Sequence, residues 1–131
     1  MVDYSDAEEQ EFYLEQLMDN YKNPQNRGKM EDYTFFKHQK NASCGDVFDL
    51  YVKLEGGRIS DVKYHGEGCA ISTASFSLLS QKLIGMDFEE AKKIDDKEMY
   101  ELIGVKISPG RVNCAMLSLN AFIGGYKEFE K

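Results

Sequence analysis

Apolar residues along the chain follow two different periods, and the switch between them marks out its elements. From Glu8 to Asn20, the residues Phe12, Tyr13, Leu17 and Met18 recur at helical spacing, with Tyr21 just past the end. NPQNRG then stops that helix with Asn, Pro and Gly. An apolar stretch around Tyr33 to Phe36 predicts a strand, and between Asp46 and Leu54 the period is two, with Phe48, Leu50, Val52 and Leu54 on alternate positions. That alternation is the mark of a half-buried strand. Gly56-Gly57 supplies the positive backbone angles of a tight hairpin, and Ile59 to His65 returns as the next strand.

Helical spacing then resumes. In GEGCAISTASFSLLSQKLIG the glycines end the strand, a helix runs from about Ala70 to Ile84, and Gly85 stops it. Asp87 to Glu90 and Asp95 to Glu98 each pair an acidic cap with a Glu three residues on, which predicts two short helices. Ser108-Pro109 announces the last helix, whose apolar stripe is Val112, Ala115, Met116, Leu119, Ile123 and Tyr126. The expected fold class is α+β: a small three-stranded antiparallel sheet packed against several helices, with a long C-terminal helix. No repeat or linker divides the chain, so residues 1–131 are read as a single domain, with 1–7 as a flexible N-terminal tail.

Composition narrows the function. The 131 residues suffice for one buried core, and 42% hydrophobic with 30% charged residues is an ordinary globular balance. Sixteen basic against 23 acidic side chains leave a net charge of -7, which argues against nucleic acid and anionic membrane as partners and favours a basic protein. No run approaches the roughly 18 apolar residues of a membrane span. The opening MVDYSDAEEQEF lacks the basic and apolar regions of a signal peptide, so a cytoplasmic location is expected. Three cysteines are too few for a disulfide framework and, in a reducing compartment, become candidates for chemistry.

Cys69 and Cys114 fall at the starts of predicted helices, where unpaired N–H groups and the helix dipole favour a thiolate. Cys44 sits in NASCGD, where Gly45 permits a tight loop and Asp46 offers a carboxylate two residues on. Three thiolates and a carboxylate suit tetrahedral zinc, and three thiolates with one oxygen or nitrogen ligand also suit a 2Fe-2S cluster. No CxxC pair is present, and free cysteine is among the most buried residue types, so plain core packing stands beside the metal reading. By the same reasoning Asp46 suits a strand-start carboxylate facing water, His38 and His65 lie among polar neighbours and are expected to face solvent, and Tyr13 and Tyr21 suit helix packing.

YLEQLMDNYKNPQNRGKM, NASCGDVFDLYVKLEGGRISDVKYHGEGCAISTASFSLLSQKLIG and GRVNCAMLSLNAF together resemble the scaffold family of iron–sulfur cluster assembly, the IscU, SufU and NifU N-terminal proteins. The resemblance runs from about Phe12 to Tyr126. It implies an assembly site made of Cys44, Asp46, Cys69 and Cys114, a transient 2Fe-2S cluster, and zinc or iron in the isolated protein. It further implies a non-enzymatic scaffold served by a cysteine desulfurase and by an electron donor or iron donor, passing clusters to recipient apoproteins, with room for a homodimer. Cys114 is the expected persulfide acceptor. The alternative within the family is a zinc-dependent sulfur acceptor, a SufU-like sulfurtransferase that stimulates the desulfurase. Asn113 stands where IscU proteins usually carry histidine, which makes Asp46 the preferred fourth ligand. RVNCA is closer to the SufU style, although the stretch between Cys69 and Cys114 lacks the insertion usual for SufU. VKISPGRVN replaces the LPPVK segment by which many IscU proteins meet an Hsp70 chaperone, and Tyr13 matches the family's N-terminal tyrosine.

Overall fold

Three strands, β1 (Phe35–Asn41), β2 (Asp46–Glu55) and β3 (Arg58–Glu67), form an antiparallel sheet in the order of the chain. Around them lie α1 (Tyr4–Lys22), α2 (Ala70–Leu83), α3 (Phe88–Ala91), α4 (Asp96–Ile103) and α5 (Val112–Phe129), with a 3-10 turn over Pro109–Arg111. The computed structural model describes residues 4–41 and 45–131, with side-chain surroundings from residue 10 onward; Cys44 lies outside the described residues.

Alternation decides which face of the sheet is wet. Phe35, Phe48, Leu50, Val52, Ile59, Val62 and Tyr64 point inward and are buried. Phe76 of α2 stacks on Phe48 at 4.4 Å and on Tyr64 at 5.3 Å between ring centres. Each such side chain taken out of water is worth about 1.5–3 kcal/mol, so this face fixes the register of the meander. α5 lies across β1 and α2, and its buried surface is wider than a stripe: Cys114 to Leu119 are all buried, followed by Ala121 and Phe122. α1 docks on α2 through a polar seam, in which Asn20 Oδ1 accepts from Ser77 Oγ (2.6 Å) and Gln81 Nε2 (2.8 Å).

The sheet, the long C-terminal helix and both acidic caps agree with the sequence. Asp87 accepts from the Glu90 amide at 3.3 Å and Asp95 from the Glu98 amide at 3.0 Å. Boundaries differ in three places. α1 begins at Tyr4 rather than Glu8, so the tail expected over 1–7 is helical from Tyr4 on. β1 starts at Phe35 and continues to Asn41 through a polar stretch, because pairing with β2 supplies the hydrogen bonds that its own pattern does not advertise. Ser108 makes no side-chain cap; its carbonyl accepts from the Arg111 amide at 2.9 Å, closing a 3-10 turn that delays α5 to Val112. Among the described residues, no helix is long and apolar enough to cross a membrane.

Candidate metal centre

The start of β2 and the first residues of α2 and α5 meet at one corner. A carboxylate oxygen of Asp46 and the sulfurs of Cys69 and Cys114 all lie within 4.8 Å of one another. Asp46 and Cys114 are fully buried, whereas Cys69 is half-buried. Asp46 therefore does not face water, contrary to the simplest reading of its position. Cys44, expected to complete the set, falls outside the described residues.

Each donor is held by local structure. Cys69 is the N-cap of α2, and its sulfur accepts from the Ser72 amide at 3.5 Å. The Cys69 amide in turn donates to Asp46 Oδ1 at 2.9 Å, tying the cap to the strand. This approach needs Gly68, since a Cβ there would sit 2.5 Å from Ser72 Oγ, 2.6 Å from Phe48 Cε2 and 2.7 Å from Asp46 Oδ1. On the other side, Asn41, the partner of Asp46 across β1 and β2, presents its side-chain amide to Asp46 Oδ2 (3.4 Å) and Cys114 Sγ (3.7 Å). Cys114 is the third residue of α5, close to the positive end of the helix dipole.

Burial opposes charge on Cys69, but the Ser72 amide and hydroxyl and a hydrogen bond from Cys114 outweigh it, so the thiol lies below its ordinary value; the Asp46 carboxylate pushes the other way. The exposed Arg111 guanidinium is held firmly charged by the Cys114 and Cys69 sulfurs nearby. The corner thus offers two sulfurs and a carboxylate oxygen to a cation, with a guanidinium nearby. Such a set suits zinc or iron and is too soft for magnesium or calcium.

Asn41, Ser72 and Arg111 were not singled out by the sequence. Their signals are local: Asn41 opens NASCGD, Ser72 stands at the cap-to-third-residue spacing after Cys69, and Arg111 precedes Cys114 by three residues. Asn113 is exposed, beside Asn41 and Leu117 in a shallow recess. Tyr13 is not part of the corner: it packs on Gly104 in a groove with Gln10, Lys97 and Tyr100. His38 and His65 are partly exposed as expected, but both engage Asp49.

The chain is 36% identical over 135 residues to the zinc-dependent sulfurtransferase SufU of Bacillus subtilis (strain 168), covering 90% of this chain and 91% of that protein. It is 35% identical over 122 residues to the iron-sulfur cluster assembly scaffold protein IscU of Thermotoga maritima, covering 81% and 86% respectively. The fold superposes on the N-terminal part of a NifU-like protein from Brucella abortus with a TM-score of 0.75 at 17% identity, covering 95% of this chain and 97% of that one. Residues 12–131 match the model of the NifU-like N terminal domain, and the chain belongs to that family.

Proposed function

We propose that this chain is a scaffold on which a 2Fe-2S cluster is assembled as cargo at Cys44, Asp46, Cys69 and Cys114 and then passed to recipient apoproteins. The observation that carries the reading is the convergence of Asp46, Cys69 and Cys114 donors within 4.8 Å where the start of β2 meets the starts of two helices. The relatedness to an IscU scaffold supports it. Cys44, two residues before Asp46 in the chain, is the fourth donor of the proposal.

Sulfur arrives from a cysteine desulfurase as a persulfide. An acceptor thiolate attacks its outer sulfur, the S–S bond breaks, and the desulfurase thiolate leaves. Each transferred sulfur needs two electrons to become sulfide, which is the task of the electron donor. Cys114 is the proposed acceptor, yet it is fully buried, so acceptance there requires the corner to open. Cys69, half-buried and with its thiol lowered, holds the growing cargo. Asp46 contributes the hard, exchangeable ligand through which the cargo is released, because an oxygen donor is the weaker partner of a soft sulfide cluster.

Anaerobic reconstitution with iron and sulfide tests this reading: failure to form a cluster while the thiols remain reduced would contradict it. A second reading, a zinc-dependent sulfur acceptor, is favoured by Asn113 at the position before the last cysteine and by the likeness to SufU. Tightly held zinc together with strong stimulation of a cysteine desulfurase would select it.

A further inference from the structure

A second group of metal-ligating side chains lies on the opposite face of the sheet and takes no part in the thiol corner. His38 of β1, Asp49 of β2 and His65 of β3 are direct partners across all three strands. His38 Nδ1 is 2.5 Å from Asp49 Oδ1, and His65 Nε2 is 3.3 Å from Asp49 Oδ2, so each carboxylate oxygen holds one imidazole. The Tyr51 hydroxyl is 3.0 Å from the same His65 nitrogen. Beside them a recess of about 300 Å³ is lined by Gly45, Val47, Asp49, His65, Gly66 and Glu67.

This group differs from an ordinary surface ion pair in two ways. The first is reach. Neighbouring strands lie about 4.8 Å apart, so His38 and His65 flank Asp49 across roughly 10 Å of sheet, a span that two imidazoles close over one ion above the middle strand. The second is hydrogen bonding. His65 Nε2 lies within reach of both the Asp49 carboxylate and the Tyr51 hydroxyl, and a cation taken up there replaces the proton that otherwise joins the imidazole to the carboxylate. A cation at that point satisfies the imidazole, the carboxylate and the phenol oxygen together. Side-chain exposures of 47% for His38, 29% for His65 and 23% for Asp49 leave coordination positions open to solvent.

We propose that His38, Asp49 and His65 hold a first-row divalent cation on the outer face of the sheet, as a two-histidine, one-carboxylate site distinct from the thiol corner. The donor set suits ferrous iron or zinc; calcium and magnesium call for oxygen alone. In the arrangement described, the imidazoles flank the carboxylate, so closing on one ion requires both rings to turn, and the exposed His38 has room to do so. The recess runs from this group to Gly45 and Gly66, the residues that lead into Asp46 and toward Cys69. If the chain assembles clusters as proposed above, the outer site holds iron across the sheet from the thiols; the binding itself does not depend on that reading.

The test is anaerobic titration of the full chain with Co²⁺, counting ions by calorimetry and following absorption, since thiolate ligation adds an intense near-ultraviolet band that nitrogen and oxygen ligands do not. The expected result is two ions per chain, one of them with the thiolate band. H38Q and H65Q each leave Asp49 one imidazole partner, and each should weaken the bandless ion at least tenfold while the thiolate band is unchanged. A parent that binds no bandless ion, or a bandless ion of parental affinity in both variants, overturns the proposal and leaves the ladder as cross-strand pairing only. The thiolate band reports on the cysteines alone, so failure there and failure here are read separately.

Discussion

Asp46 and Asp49 lie three residues apart on β2, and that odd offset puts them on opposite faces of one strand. Asp46 is fully buried, joined to the Cys69 amide and the Asn41 side chain and set against two sulfurs. Asp49 is partly exposed and held between two imidazoles. The same carboxylate therefore enters a soft, dry donor set on one side of the sheet and a borderline, wet one on the other. Strand alternation, rather than any difference in residue type, decides which.

The comparison can be broken at several points. Gly68→Ala should act most strongly, because the added methyl meets Ser72, Phe48 and Asp46 together. Overpacking of this kind costs about 1–3 kcal/mol, occasionally more. It should abolish metal binding at the thiols and spare the outer ion; equal loss at both faces would mean that they are not independent. Next comes Asp46→Ala, which leaves the Cys69 amide without its carboxylate, at about 1–3 kcal/mol. Asp49→Ala should stay within about 1 kcal/mol, as for a surface ion pair. Denaturant unfolding of the two variants measures the difference, and comparable costs would contradict the inner–outer distinction. Asp46→Ala should also slow cluster release; an unchanged cluster lifetime would remove Asp46 from the ligand set.

A smaller effect concerns Cys69 in the metal-free protein. Its thiol is lowered from the ordinary 9.0, so folding favours the thiolate. The associated stability is fully present above about 9, the unfolded value, and is lost as pH falls through the lowered folded value. Cys69→Ser should therefore flatten the dependence of unfolding free energy on pH over that window. Ser72→Ala, which removes the hydroxyl and keeps the amide, should slow alkylation of Cys69 by a few-fold near neutral pH. An unchanged rate would assign the lowering to the amide and helix dipole instead.

Much of the fold was legible because it rests on local signals. The alternation in Phe48, Leu50, Val52 and Leu54, the Gly56-Gly57 hairpin and the acidic caps at Asp87 and Asp95 each specify their element within a few residues. Cys69 and Cys114 were legible as thiols at helix starts, but their meeting with Asp46 was a firm expectation only through the family resemblance. What escaped depends on distant pairing. β1 crosses a polar stretch because β2 lies beside it, and α5 is buried well beyond its stripe because β1 and α2 both cover it. His38, Asp49 and His65 become one group only once three strands are aligned. None of these neighbours is close in sequence, so no window on the chain reveals them.

The central claim is that the thiol corner is a cluster-building site, and the most direct measurement is anaerobic reconstitution of the full chain with iron and sulfide, read by absorption and by iron and sulfide content. The account predicts a 2Fe-2S spectrum with iron and sulfide in equal amounts, lost in Cys69→Ser and Cys114→Ser and retained in the H38Q and H65Q variants. A parent protein that forms no cluster while its thiols remain reduced, or a cluster that survives removal of Cys69 and Cys114, would contradict it.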